Sequence, residues 1–345
     1  MNKLLYLNLA IDSEDTSLGF AVGWLEEISK NYKSVDVITL RLGKLPTLDK
    51  KINIYGPTYS TNKLTKYKFL YKTAKKLIKK SKYDKCFSHM SPISIFIIAL
   101  LLKSKNIKST LWFTHPGPKF GLKKLILFIS FKLSDQILTA SPSSFPFKSK
   151  KVHVIGHAVN LENFQNKKTE FELNNFLILS RISESKNLEV SIDAFLKSNF
   201  RNKNLDIIGG PLNIHDEEYL KKLELKYSKL NNVNFLGKAK HSDLPAILKK
   251  YDINFNSAGK GFYDKSVLET LSMGIINFYH NPDFDSIYNN YAENYFFKDS
   301  TSLTYKINLL EHVKYDDINE FFESINSNLN KHSLTTLNER LSNII

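Results

Sequence analysis

Between residues 176 and 278 short β-branched or aromatic runs alternate with amphipathic stretches at nearly regular spacing. The runs at 176–180, 205–208, 233–236, 253–256 and 275–278 have the make-up of buried strands, and helical periodicity fills 187–200, 216–230, 242–250 and 265–273 between them. Parallel strands need crossover connections of a dozen or more residues, so this repeat predicts a parallel sheet covered by helices on both faces. Glycines close several of the strands (Gly209-Gly210, Gly237, Gly259), where the backbone must turn sharply or approach a ligand.

The first half repeats the theme. Strands are expected at 4–11, 35–40, 85–88, 109–113 and 136–140, with a helix at 20–31. A chain of 345 residues exceeds what one core usually serves, and two doubly wound α/β domains in tandem result. The expected division is 1–160, 161–331 and a final helix at 332–345, with the junction in the polar stretch near 156–168. The opening apolar run is interrupted by Asn8 and leads straight into acidic residues 12–15, which predicts a buried strand rather than a secretory leader. The apolar run at 93–102 is too short to span a bilayer, which takes about 20 residues.

With 42% apolar and 24% charged residues the composition is that of a globular protein, and the single Cys86 excludes a disulfide framework and fits a reducing compartment. Charge is more informative in its distribution than in its net value of +15. Residues 1–165 hold 27 Lys and Arg against 10 Asp and Glu, and the remainder 22 against 24, so the halves carry +17 and −2. A basic N-terminal surface that meets an anionic partner follows, with phospholipid and nucleic acid as the candidates. Segment 63–82 places Leu64, Tyr67, Leu70, Tyr71, Ala74, Leu77 and Ile78 on one helical face among nine lysines. It reads either as a basic amphipathic surface element or as an ordinary helix with solvated lysines. A second apolar and lysine-bearing helix, 122–133, is expected to be buried.

Three strand ends carry residues able to do chemistry. Ser180-Arg181-Ile182-Ser183-Glu184-Ser185-Lys186-Asn187 supplies two cations that could clamp a diphosphate. The segment from Gly259 to Gly274 opens a helix whose free N–H groups make an anion site, with Glu269 one turn further in. Its plainer reading has Asp264 capping a structural helix and Glu269 solvated. Trp112-Phe113-Thr114-His115-Pro116 ends a strand with a histidine that can donate to a phosphate or sugar, or transfer a proton.

In order and spacing the sequence resembles glycosyltransferase family 4, the retaining group 1 nucleotide-sugar transferases, and within it the branch that builds bacterial surface polysaccharides. The resemblance spans most of the chain. Its marks are Leu18-Gly19-Phe20 with Trp24-Leu25, Trp112 to His115, Thr139-Ala140-Ser141, Val154-Ile155-Gly156-His157 through Phe164, Ser180-Arg181 through Lys186-Asn187, Phe235-Leu236-Gly237, and Asp264 through Glu269. It implies a GT-B fold, two Rossmann-like domains facing a central cleft, the first for the acceptor and the second for the nucleotide sugar. Arg181 and Lys186 would bind the donor diphosphate, the backbone of Ser266 and Val267 would cap it, and Gly19 would let the first loop approach it. Catalytic roles fall to His115, against the transferred sugar, and Glu269, on the ribose hydroxyls, with Asp264 nearby at the ribose or sugar.

Gly261 stands where the family often has the first of two glutamates, and Asn160 where it commonly has an aspartate. Arg181, Lys186 and a helix dipole can neutralise the leaving diphosphate, so no metal or other cofactor is expected. The implied partners are a nucleotide-diphosphate sugar and a saccharide or lipid-linked acceptor. Lys72, Lys75, Lys76, Lys79 and Lys80 would meet the acceptor or the anionic inner face of the cytoplasmic membrane, which makes the protein cytoplasmic or peripheral. The competing readings are an epimerase, a phosphorylase or an inactive scaffold of the same fold, and a nucleic-acid-binding protein, for which no recognised motif is present.

Overall fold

The computed structural model describes residues 3–13, 15, 18–57, 61–165, 168, 171, 173–200, 203–342 and 344. The chain divides into two units, one of residues 1–158 with 334–345 and one of residues 159–333. Residues 166 and 167 of the expected junction, and 343 and 345 of the expected last helix, lie outside the described residues.

The first unit runs β1 (Lys3–Asn8), α1 (Ala21–Ser29), β2 (Ser34–Thr39), β3 (Ile52–Tyr55), α2 (Lys63–Lys80), β4 (Lys85–His89), α3 (Pro92–Ser104), β5 (Lys108–Trp112), α4 (Leu122–Leu133), β6 (Gln136–Thr139) and β7 (Val152–Val154). All seven strands are parallel, in the order β3-β2-β1-β4-β5-β6-β7. Alternation along each strand assigns the two faces. Leu5, Leu7, Cys86, Leu111 and Ile137 share a core with Leu70 and Leu77 of α2, Ile95 and Ile98 of α3, and Leu127 and Phe131 of α4. The opposite face carries Tyr6, stacked on Phe87 and His89, and Phe87, His89 and Trp112 meet Trp24 of α1. The Trp24 ring lies 4.6 Å from Trp112 and 5.1 Å from His89, and its Nε1 donates to the Ala158 carbonyl at 3.0 Å.

The two lysine-bearing helices pack differently: α2 follows the ordinary-helix reading in its packing, and α4 departs from the expected burial. The apolar stripe of α2 is committed to the core through Leu70, Ala74, Leu77 and Ile78, while Lys72, Lys75, Lys76, Lys79 and Lys80 face outward. Helix α4, expected to be buried, buries only Leu127, Ser130 and Phe131 and exposes Leu122, Leu125 and Phe128. The reason is its place in the layer, where α3 is its main helical neighbour and Ser130 Oγ of α4 donates to the Pro92 carbonyl at 2.7 Å. Strand β3, four residues at one edge of the sheet, went unread because it is too short to show a period, and β7, three residues at the other edge, ends beside the expected junction.

The second unit contains β8 (Asn175–Leu179), α5 (Leu188–Lys197), β9 (Asn204–Ile208), α6 (Ile214–Tyr227), β10 (Val233–Gly237), α7 (Leu244–Leu248), β11 (Ile253–Asn256), α8 (Lys265–Ser272) and β12 (Ile276–Tyr279). The helices α9 (Asp285–Tyr288), α10 (Ala292–Tyr295), α11 (Ser300–Leu309) and α12 (Tyr315–Asn330) follow, and α13 (Leu337–Ser342) belongs to the first unit, where Asn338 Nδ2 donates to the Glu27 carbonyl of α1 at 2.8 Å. The strand order is β10-β9-β8-β11-β12, all parallel. Phe176, Phe255 and Phe278 form a ladder across β8, β11 and β12, with centroids 5.6 and 6.1 Å apart.

Helix α8 is tied to this sheet by polar groups. Asn254 Oδ1 accepts from the Leu179 amide at 3.1 Å, and its Nδ2 donates to Asn277 Oδ1, which also accepts from Thr270 Oγ1 of α8 at 2.8 Å. Asn277 Nδ2 in turn donates to the Ile275 carbonyl at 2.8 Å. Asn254, Thr270 and Asn277 have no exposed surface, so a broken link cannot be replaced by water. The variant Asn254→Ala is expected to lose about 2–4 kcal/mol in urea unfolding, because it strands the Leu179 amide and opens a cavity. A loss under about 0.5 kcal/mol would mean that the network does not hold the sheet.

Candidate functional site

In the second sheet the chain moves outward from β8 to β9 and β10, then returns to the other side of β8 with β11. The loops leaving β8 and β11 therefore diverge from neighbouring strands, and a crevice opens at such a switch point. Arg181 and Lys186 follow β8, and Asn256 and Asp264 end β11 and its loop. Gly209 shapes the next loop over. It has φ +149°, and a Cβ there would stand 1.8 Å from the Ser180 carbonyl oxygen.

Lys186 is buried, and its ammonium pairs with Asp264 and lies 4.8 Å over the Phe262 ring. The second Asp264 oxygen accepts from Asn256 Nδ2 at 3.0 Å. Asp264 occupies the N-cap position of α8 with extended backbone, yet its side chain makes no capping bond, since both oxygens are engaged elsewhere. The Ser266 amide consequently has no acceptor among the described residues, while the Val267 amide leans on the Asp264 carbonyl at 3.3 Å. The expected plain role of Asp264 as a helix cap is thus replaced by an ion pair, and the helix end stays open. Arg181 is exposed and has no side-chain partner among the described residues.

Glu269 is 5% exposed and not simply solvated, and its Oε1 meets His241 Nε2 at 2.9 Å. His241 comes from the turn before α7 and packs edge-on against Phe164 at 5.4 Å. Burial pushes the Lys265 ammonium well below its ordinary range, with Glu269 opposing that shift. Gly261, at φ +94°, sits in the left-handed region that suits glycine, so the departure from glutamate is built into the loop backbone. Among the described residues no group of three His, Cys, Asp or Glu is placed to hold a metal ion.

In the first unit Gly19 lies just before α1, and a Cβ there would come within 2.7 Å of the Asp15 carbonyl oxygen. His115 follows β5 and is exposed, with its Nδ1 accepting from the Gly117 amide at 3.1 Å. That bond goes with a neutral tautomer carrying its proton on Nε2. The switch point of this sheet lies between β1 and β4, and the histidine that ends β4 is His89, stacked at 6.5 Å on Tyr6 and buried beneath Phe20 and Trp24.

Residues 160–295, nearly all of the second sheet and the loops that carry this geometry, match the family model described as glycosyl transferases group 1. Over this segment the chain is similar to the group 1 glycosyltransferases. A search of the curated proteins by sequence gives no match. Solved structures share its GT-B fold along the whole chain. Anabaena HepE in complex with UDP is 15% identical with a TM-score of 0.74, over 99% of this chain and 98% of that one. The lipopolysaccharide outer core galactosyltransferase WaaB is 12% identical at 0.66, over 99% and 100%. Sucrose-phosphate synthase of Thermosynechococcus elongatus is 14% identical at 0.74, over 98% of each.

Three residues at or beside these strand and helix ends, two in the second unit and one in the first, escaped the sequence reading. His241 lies 28 positions from Glu269, in the short link between the expected strand 233–236 and the expected helix 242–250. Asn256 was taken as the end of a strand, and His89 fell one residue beyond an expected strand end. For Lys186 and Asp264 the coupling is directly measurable. Asp264→Asn removes the counter-charge of a buried ammonium and is expected to cost about 3 kcal/mol in chemical denaturation. Lys186→Met combined with Asp264→Leu should recover much of that loss, and additive single losses would show that the two side chains do not depend on each other.

Proposed function

We propose that this protein is a glycosyltransferase that binds a nucleoside-diphosphate sugar at the C-terminal ends of β8 and β11, and passes the sugar to a saccharide or lipid-linked acceptor handled by the first unit. One observation carries the donor assignment. Asp264 is drawn away from the N-terminus of α8 by Lys186 and Asn256, which leaves an open helix end next to a buried cation. An exposed Arg181 on the neighbouring strand end adds the second positive charge. The Ser266 N–H, a helix dipole and two cations together suit a diphosphate, whose charge grows as the glycosidic bond breaks.

In this reading the bond from the anomeric carbon to the phosphate oxygen breaks, and one to the acceptor oxygen forms on the same face. The acceptor proton goes to the departing phosphate. Arg181, Lys186 and the amides of Ser266 and Val267 stabilise the leaving group, so the reaction needs no metal ion. Glu269, oriented by His241, takes the ribose hydroxyls through its remaining oxygen, with Asp264 beside the sugar. His115 donates from Nε2 to the transferred sugar, and Gly19 lets the first loop come close. Since HepE was solved with UDP and with UDP-glucose, uridine donors are the first to try. The likeness to WaaB, a lipopolysaccharide outer core galactosyltransferase, supports a lipopolysaccharide acceptor, whereas sucrose-phosphate synthase has the same fold with a different name for its work.

UDP-, GDP-, ADP- and CMP-linked sugars, screened for binding and slow hydrolysis with and without EDTA, test this reading. One donor should bind and turn over in EDTA, and Arg181→Ala should lower kcat/KM by about 10²–10³ with an unchanged melting temperature. Full activity in that variant would remove Arg181 from the site. Binding without turnover of any donor would make the protein an inactive scaffold, the outcome that Gly261 in place of a glutamate favours.

A further inference from the structure

Residues 50–134 hold 19 lysines, no arginine and a single carboxylate, Asp84. Helices α2, α3 and α4 come from this stretch and lie together over one face of the first sheet, with their inner sides in one core. Their outer sides therefore form one surface. Its lysines come from α2 and α4 and, with Lys103, from the end of α3, and it also bears large apolar side chains that nothing covers: Phe120 is 83% exposed, Leu100 78%, Leu122 72% and Leu125 52%, with Phe96 and Phe128 beside them at 40% each. A contiguous exposed patch of leucine and phenylalanine marks an interaction surface.

We propose that this α3–α4 face docks the enzyme on an anionic phospholipid bilayer, with Leu100, Phe120, Leu122 and Leu125 entering the acyl boundary and the lysines of α2 and α4 resting among the headgroups. Charge complementarity selects this occupant. No carboxylate on the three helices repels an anionic surface, and lysine stems can lie along apolar tails while their ammonium groups reach phosphate. A second copy of the chain would set lysine against lysine. A nucleic acid would use the lysines and leave the leucines in water, because base recognition and stacking draw on arginine and exposed aromatic faces rather than on leucine. No helix among the described residues is long and apolar enough to cross a membrane, so the contact is interfacial. The proposal is independent of the donor site, which lies in the other unit.

Both native tryptophans, Trp24 and Trp112, are buried, so Leu125→Trp adds an emission reporter on the face itself. The full-length protein should sediment with vesicles of phosphatidylcholine containing roughly a third phosphatidylglycerol and stay free of phosphatidylcholine alone. The Leu125→Trp emission should shift to the blue on binding and be quenched by brominated acyl chains. Leu100→Ser/Leu122→Ser/Leu125→Ser should weaken partitioning at least about tenfold while melting and nucleotide-sugar binding, both measured without vesicles, stay unchanged. The proposal is overturned if the protein ignores anionic vesicles, if the triple variant partitions like the parent, or if the tryptophan emission stays fixed while the protein sediments. Tighter binding to duplex DNA or RNA than to anionic vesicles, unaffected by the triple variant, would overturn it in favour of nucleic acid.

Discussion

Asp264 has two carboxylate oxygens and three claims on them: the buried Lys186 ammonium, the Asn256 amide, and the free N–H groups of α8 for which it stands in the N-cap position. The first two claims win. A buried ammonium left without a counter-charge costs several kcal/mol, whereas an absent helix cap costs about 1. The outcome follows from that inequality, and the geometry of the proposed donor site depends on it. Were Lys186 solvated, Asp264 would be released to cap α8, and the helix end would be closed to an anion.

Such an open helix end is useful only if the helix cannot shift. Thr270, one turn past Ser266, is bonded through Asn277 to Asn254, and Asn254 holds the amide at the end of β8. This chain links α8, β11, β12 and β8 without touching solvent. It fixes the N-terminus of α8 relative to the strand from which Arg181 and Lys186 emerge. An apolar core could fill the same volume, but directional bonds set the register of helix against sheet, a recognised use of buried polar groups.

The parallel sheet of the second unit was legible because each strand is a short apolar run flanked by helices of clear period, and β8 through β12 all fall at or within two residues of the runs read from the sequence. What stayed illegible depends on neighbours rather than on local pattern. Helices α2 and α4 both alternate lysines with apolar residues, yet α2 buries the C-terminal part of its stripe and exposes Leu64 and Tyr71, while α4 leaves half of its own outside. Nothing in either sequence says how many helices will flank it. The same holds for the candidate site. Arg181, Lys186 and Glu269 could be singled out from strand-end and helix-start positions, but the partner that orients Glu269 comes from a separate loop, and a distance in sequence carries no contact information.

The two halves of the chain differ by +17 against −2 in charge, and the structure gives that difference a place. Lysines of the first unit gather on a layer of helices that packs with its apolar side inward, and the second unit carries carboxylates that neutralise its own cations in pairs such as Lys186 with Asp264, Lys168 with Asp252 and Lys226 with Asp193. Exposed lysines without carboxylates create a field that reaches about a Debye length, some 8 Å at physiological salt, whereas paired charges act only on what touches them. The division of labour proposed for the enzyme uses both ranges. A broad positive face suits a large anionic surface met from a distance, and a compensated pocket suits a small anion that must displace or join existing bonds to be held.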